Sequence, residues 1–120
     1  MAAIRSFTSL EQSRKLAEIL PLESADMKIL PFTEREYRIV PINDIAVCGR
    51  DDEIYAWSLA ALLNVLPAEC ECMSLEHINY GNNHKKYFMS YVGGEYTDIY
   101  DNPVDACVAM IEKLNKLNML

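Results

Sequence analysis

The stretch Tyr87-Phe-Met-Ser-Tyr-Val-Gly-Gly-Glu-Tyr-Thr-Asp-Ile-Tyr-Asp-Asn-Pro-Val-Asp-Ala-Cys-Val-Ala-Met-Ile-Glu-Lys-Leu114 runs from a hairpin pattern straight into a helix pattern, and its two halves set the fold class. Gly93-Gly94 supplies the positive φ values that a two-residue primed turn demands. Such a turn sets a register: Val92 faces Glu95, Tyr91 faces Tyr96, Ser90 faces Thr97, Met89 faces Asp98, Phe88 faces Ile99 and Tyr87 faces Tyr100. Period-two alternation then gathers Tyr87, Tyr91, Tyr96 and Tyr100 on one face, with Phe88, Val92 and Ile99 on the other. Immediately afterwards Asn102 reads as a helix cap and Pro103 as the first helical residue, with Asp105 at the positive end of the dipole. Lys113 and Lys116 suit the opposite end. Val104, Cys107, Val108, Ile111, Leu114 and Leu117 form an i, i+3, i+4, i+7 stripe that must cover something apolar, and the sheet is the natural partner.

Working back along the chain, a strand around residues 73–80 is expected to precede the hairpin. Before it, Ser58-Leu-Ala-Ala-Leu-Leu-Asn-Val-Leu-Pro67 joins a serine cap to strong helix formers and ends on Leu-Pro, which disfavours helical geometry at the leucine. This helix is apolar nearly all round, so it reads as a central core helix, or else as one shared between the core and a subunit contact. Lys28-Ile-Leu-Pro, Tyr37-Arg-Ile-Val and Ile45-Ala-Val-Cys are short β-branched runs that read as strands, with Pro31 and Pro41 at ends, edges or bulges. At the start, Thr8 and Glu11 have the spacing of a capping box for a first helix, which Leu10, Leu16, Ala17 and Leu20 continue and Pro21 stops.

The order α-β-β-β-α-β-β-β-α follows. Runs of strands between single helices predict an α+β fold, with an antiparallel sheet of about five or six strands and three helices, in one domain spanning residues 1–120. The sequence shows no clear internal duplication.

Three stretches carry a family likeness: Ser9-Leu-Glu-Gln-Ser-Arg-Lys-Leu-Ala-Glu-Ile-Leu-Pro-Leu-Glu-Ser-Ala-Asp-Met27, Trp57-Ser-Leu-Ala-Ala-Leu-Leu-Asn-Val-Leu-Pro67 and the C-terminal run from Asp101 to Leu120. Together they resemble a family of small uncharacterised proteins from gut Bacteroidetes genomes and their prophages or other mobile elements. The resemblance covers a little under half the chain. It implies a bacterial cytoplasmic setting and a phage or mobile-element origin, and it transfers no functional residues.

Bulk properties bound the chemistry. Eighteen acidic against eleven basic side chains give a formal charge of −7, which repels a phosphate backbone and anionic lipid, so no nucleic-acid partner is expected. The first residues lack the apolar run of a signal peptide, and the most apolar stretch, residues 54–66, is far shorter than the ~20 residues of a spanning helix. Neither export nor a membrane segment is expected, and Cys48, Cys70, Cys72 and Cys107 read as reduced thiols.

Cys70-x-Cys72 with His77 and His84 supplies soft ligands, but at a spacing poor for zinc. Cys107 sits on the apolar stripe of the last helix and reads as core. No phosphate loop, dinucleotide fingerprint or catalytic motif occurs, and nothing brings carboxylates such as Asp98 and Asp101 into an apolar cleft. No catalytic, cofactor or metal residue is therefore assigned. The tyrosine face, Tyr87, Tyr91, Tyr96 and Tyr100, is the candidate partner-binding surface, because aromatic surfaces are favoured at binding sites. The same rings could equally cover the core under a helix.

The leading expectation is a non-enzymatic interaction or accessory protein of a phage or mobile element, acting on an unknown protein partner or by self-association. A small enzyme with a Cys/His/Asp site and an acidic DNA-mimic inhibitor are the alternatives.

Overall fold

The computed structural model describes residues 6–31, 37–42, 54–66, 74–79, 81, 85–90 and 97–117. It is α+β, and the described residues form three α-helices and two antiparallel sheets: α1 (Leu10–Ile19), β1 (Met27–Pro31), β2 (Tyr37–Pro41), β3 (Ile54–Ala56), α2 (Leu59–Val65), β4 (Ser74–Asn79), β5 (Lys85–Ser90) and α3 (Pro103–Lys116). No described helix is long and apolar enough to cross a membrane.

The strands divide into a three-stranded sheet of order β2-β1-β3 and a separate β4-β5 ladder, where a single sheet of about five or six strands was predicted. Strand patterning fixes which face of a strand is apolar, but not which strands share a ladder. A strand that the sequence pattern did not predict is also present. β3 lies at Ile54–Ala56, whereas the run Ile45-Ala-Val-Cys48 falls outside the described residues. β1 pairs Ile29 with Ile39 of β2 and with Ile54 of β3, so one central isoleucine is flanked on both sides by its like. In β1 three consecutive residues, Lys28, Ile29 and Leu30, are buried, so both faces of this strand are covered. The Lys28 ammonium lies 5.7 Å from the centre of the Tyr55 ring, a distance at which the ring quadrupole attracts a cation.

α3 is the axis of the core. Val104, Ala106, Cys107, Met110, Ile111 and Leu114 are fully buried, together with Leu16 of α1, Trp57, Leu62 of α2 and Met89 of β5. Each large apolar side chain sunk in this way contributes about 1.5–3 kcal/mol relative to exposure. Leu117, predicted to extend the stripe, is 46% exposed, because α3 ends at Lys116 and the stripe ends with it. α2 is less central than its composition suggested: only Leu62 is buried, Leu59, Val65 and Leu66 are half-buried, and Leu63 is 42% exposed. At seven residues the helix has room to bury only one stripe, and α3 occupies the middle.

All three helices open on a side-chain cap. The Asn102 side chain accepts the Val104 N–H at 2.9 Å, with Pro103 next in line, and the Ser58 hydroxyl accepts the Ala61 N–H at 3.2 Å. For α1 the capping box is Ser9 with Gln12, one residue on from the predicted Thr8 and Glu11: Ser9 Oγ accepts from the Gln12 N–H, and Gln12 Oε1 accepts from the Ser9 N–H.

Thr8 faces inward instead and is fully buried. Its N–H donates to the Trp57 carbonyl at 2.9 Å, and its hydroxyl accepts the Trp57 N–H at 3.1 Å. Ser13 gives its own proton to the Ser9 carbonyl at 2.7 Å, so the 2.8 Å contact between Thr8 and Ser13 is donated by Thr8. Close by, Asp26 accepts from the Ser58 N–H at 2.8 Å and from the Ser58 hydroxyl at 2.5 Å, which orients the cap of α2. The starts of α1, β1 and α2 are thereby tied together.

Thr8→Val should cost about 1–3 kcal/mol, the penalty for leaving a buried N–H unpaired, whereas Thr8→Ser should recover most of it. Urea unfolding of the two variants side by side checks this, and a larger loss for Thr8→Ser than for Thr8→Val would show that the methyl group, not the hydroxyl, matters.

Candidate functional site

β4 and β5 pair in register from Ser74 opposite Ser90 to Asn79 opposite Lys85. Directly opposed residues share a face, and faces alternate along each strand. Met89, opposite Leu75, is 1% exposed, and Tyr87, opposite His77, packs against the core, so this parity looks inward. The other parity, carrying Glu76 opposite Phe88 and Ile78 opposite Lys86, looks outward.

A third segment, residues 97–100, runs along the far edge of β5. Tyr87 and Tyr100 exchange both backbone hydrogen bonds, at 2.7 and 2.8 Å, in the register the hairpin pattern gave. Two residues further along β5 the register slips. The Thr97 N–H, not that of Asp98, donates to the Met89 carbonyl at 2.9 Å, and the Thr97 hydroxyl takes the place of a backbone carbonyl in accepting the Met89 N–H at 2.9 Å. That hydroxyl then donates to the Asp98 carbonyl. Between these two bonded positions the edge segment has two residues, Asp98 and Ile99, where β5 has one, Phe88. The geometry is that of a bulge, which re-aims side chains. Met89 therefore does not face Asp98, nor Phe88 Ile99 alone, as the regular register required. The Gly93-Gly94 turn, with Tyr91 and Tyr96, lies outside the described residues.

Both described tyrosines of the candidate partner-binding face, Tyr87 and Tyr100, are half-buried and pack against the core. Burial first, then the carboxylates of Asp98, Glu112 and Asp105, raises the Tyr100 hydroxyl above its ordinary 10.0. It therefore stays protonated at physiological pH.

The opposite, outward side of this ladder is where apolar surface meets solvent. Ile78, Phe88 and Ile99, with Thr97 and Asp98, line an open trough of about 410 Å³. Ile99 is 47% exposed at its rim. Two further grooves flank Tyr100 on the α3 side, one reaching Lys113 and Lys116 and the other Ser9 and Lys15 of the α1 end. Their walls mix carboxylates with lysines, and Gln12 donates to Asp105 there at 2.7 Å.

Of the remaining sequence candidates, those among the described residues do not come together. His77 is exposed, lies 6.4 Å from the Tyr87 ring centre and lines none of these three grooves. Cys70, Cys72 and His84 lie outside the described residues. Among the described residues no three His, Cys, Asp or Glu side chains are grouped so as to hold a metal ion. Asp101 sits 3.7 Å from Lys86 and, like Asp98, is exposed. On α1 the Glu11 carboxylate lies 3.8 Å from the Lys15 ammonium, and Glu11, Asp105 and Glu112 line one groove with Lys15. The Cys107 thiol is fully buried, and burial pushes its pKa from 9.0 up to about 12.

The signal that could have located the trough was the alternative face of the predicted hairpin, which already grouped Phe88 with Ile99. Comparison with protein families, with curated proteins and with solved structures returned no match.

Proposed function

We propose that this chain is a non-enzymatic interaction or accessory protein that works through the outward face of its β4-β5 ladder, by binding a protein partner or by self-association. One observation carries the reading: the ladder turns its described tyrosines inward and leaves Ile78, Phe88 and Ile99 around an open apolar trough. Solvent-facing apolar surface of this kind is favoured where it becomes covered, and residues at the centre of such patches dominate binding energies. The setting is bacterial and cytoplasmic, in a phage or other mobile element. That part rests on the resemblance carried by the three helix motifs.

The test is sedimentation of the pure protein over a range of concentrations, together with affinity capture from a bacterial lysate. A dimer or a captured partner is expected. Ile99→Ser should weaken the association about fivefold to tenfold, the effect of losing roughly 1 kcal/mol or more at a contact residue, and should leave the melting temperature nearly unchanged. Absence of both dimer and partner, or indifference to Ile99→Ser, would remove this reading.

A further inference from the structure

Resting on the interaction reading above, the charge around the trough points to the chemistry of its occupant: we infer that it receives a basic, amphipathic peptide segment of another protein, apolar side chains in the trough and Lys or Arg at its rim. Asp98 lines the trough itself. Glu76 stands directly opposite Phe88 on the same outward face, exposed, its carboxylate accepting the Ser90 hydroxyl at 2.9 Å and otherwise open to solvent. Lys86, opposite Ile78 on this face, has Asp101 3.7 Å from its ammonium, so among the described residues of the face Asp98, Glu76 and Asp101 stand against one ammonium, while Lys113 and Lys116 border the neighbouring groove that Asp98 also lines.

The whole chain adds a formal charge of −7 behind this rim. Such a field slows the approach of nucleic acid, anionic lipid and a second copy of the chain, and it speeds the approach of a cationic polypeptide. The apolar floor supplies the part of the affinity that salt does not screen, and Asp98 and Glu76 supply the part that it does. A partner with apolar and basic residues in alternation matches both.

Fluorescence anisotropy tests this on the full-length protein with a fluorescein-labelled eight-residue peptide of alternating leucine and arginine. Two control peptides replace either every arginine with glutamate or every leucine with serine. Binding at least tenfold tighter than to either control is expected. Ile99→Ser and the pair Asp98→Asn, Glu76→Gln should each weaken it about tenfold, and only the charge-conserving Ile99→Ser variant should retain the full salt dependence. All these positions are solvent-facing, and circular dichroism checks that each variant folds.

Equal binding of the glutamate peptide, no change in the Asp98/Glu76 variant, or no binding by the folded wild-type protein would overturn the inference. A dimer abolished by Ile99→Ser without any peptide binding would also overturn it, while leaving the broader interaction reading intact.

Discussion

Trp57→Ala should cost about 3–5 kcal/mol, the range for emptying a buried aromatic site, against a total stability of roughly 5–15 kcal/mol for a domain of this kind. Trp57 is fully buried and sits where the start of α1, the turn before β1 and the end of β3 meet. Its backbone N–H and carbonyl are both engaged by Thr8, and its indole N–H donates to the Ser24 hydroxyl at 2.9 Å. Truncation leaves those backbone bonds in place and leaves Ser24 still donating to the Pro21 carbonyl at 2.6 Å, so the loss is cavity and contact rather than an orphaned polar group. Trp57→Phe, which keeps most of the volume, should lose clearly less. Because this is the single tryptophan of the chain, unfolding must be followed by circular dichroism and not by tryptophan emission. Two urea curves with similar slopes and well-separated midpoints are expected. Coincident midpoints for Trp57→Ala and the wild type would show that Trp57 does not join these three elements.

The helices were legible because their boundaries are local chemistry. Asn102-Pro103, Ser58 and the Leu-Pro stops act within one turn of backbone, and each lies where the pattern put it. Thr8 shows the limit. Thr8/Glu11 and Ser9/Gln12 are overlapping capping boxes, and what decides between them is Trp57, 49 residues away, whose N–H needs the threonine hydroxyl. β3 was missed for a related reason. With three residues, Ile-Tyr-Ala, it is too short to show period-two alternation, and it is a strand only because β1 pairs with it.

The candidate site was legible in its pairing and ambiguous in its orientation. Alternation separated the tyrosines from Phe88 and Ile99, but both sets are apolar enough to be buried. What resolves the two described tyrosines is α3, which lies over the inward parity of the ladder beside Met89 and Tyr87. The one-residue slip at Asp98 and Ile99 was not legible. It depends on the Thr97 hydroxyl substituting for a backbone acceptor, which no turn rule anticipates.

Cys107 gives the other large effect, in reactivity and in pH dependence. The thiolate is the species that alkylates, and at pH 8 a pKa of about 12 instead of 9.0 lowers its population about a thousandfold. Full burial also denies the reagent access, so Cys107 should react only when the core opens. Iodoacetamide labelling followed by peptide mapping should therefore find Cys107 unmodified in the native protein and fully modified in urea, with native rates at least a thousandfold lower. The same shift has a consequence for stability. A pKa raised on folding means that the folded state holds the proton more tightly than the unfolded chain, so this contribution is complete below pH 9. It declines above that, by roughly 1.4 kcal/mol per pH unit, until the folded thiol itself titrates near 12. Cys107→Ala removes the titrating group, so its urea midpoint should fall less steeply than that of the wild type between pH 9 and pH 11. Parallel declines, or ready labelling of Cys107 in the folded protein, would contradict its place at the centre of α3's buried stripe.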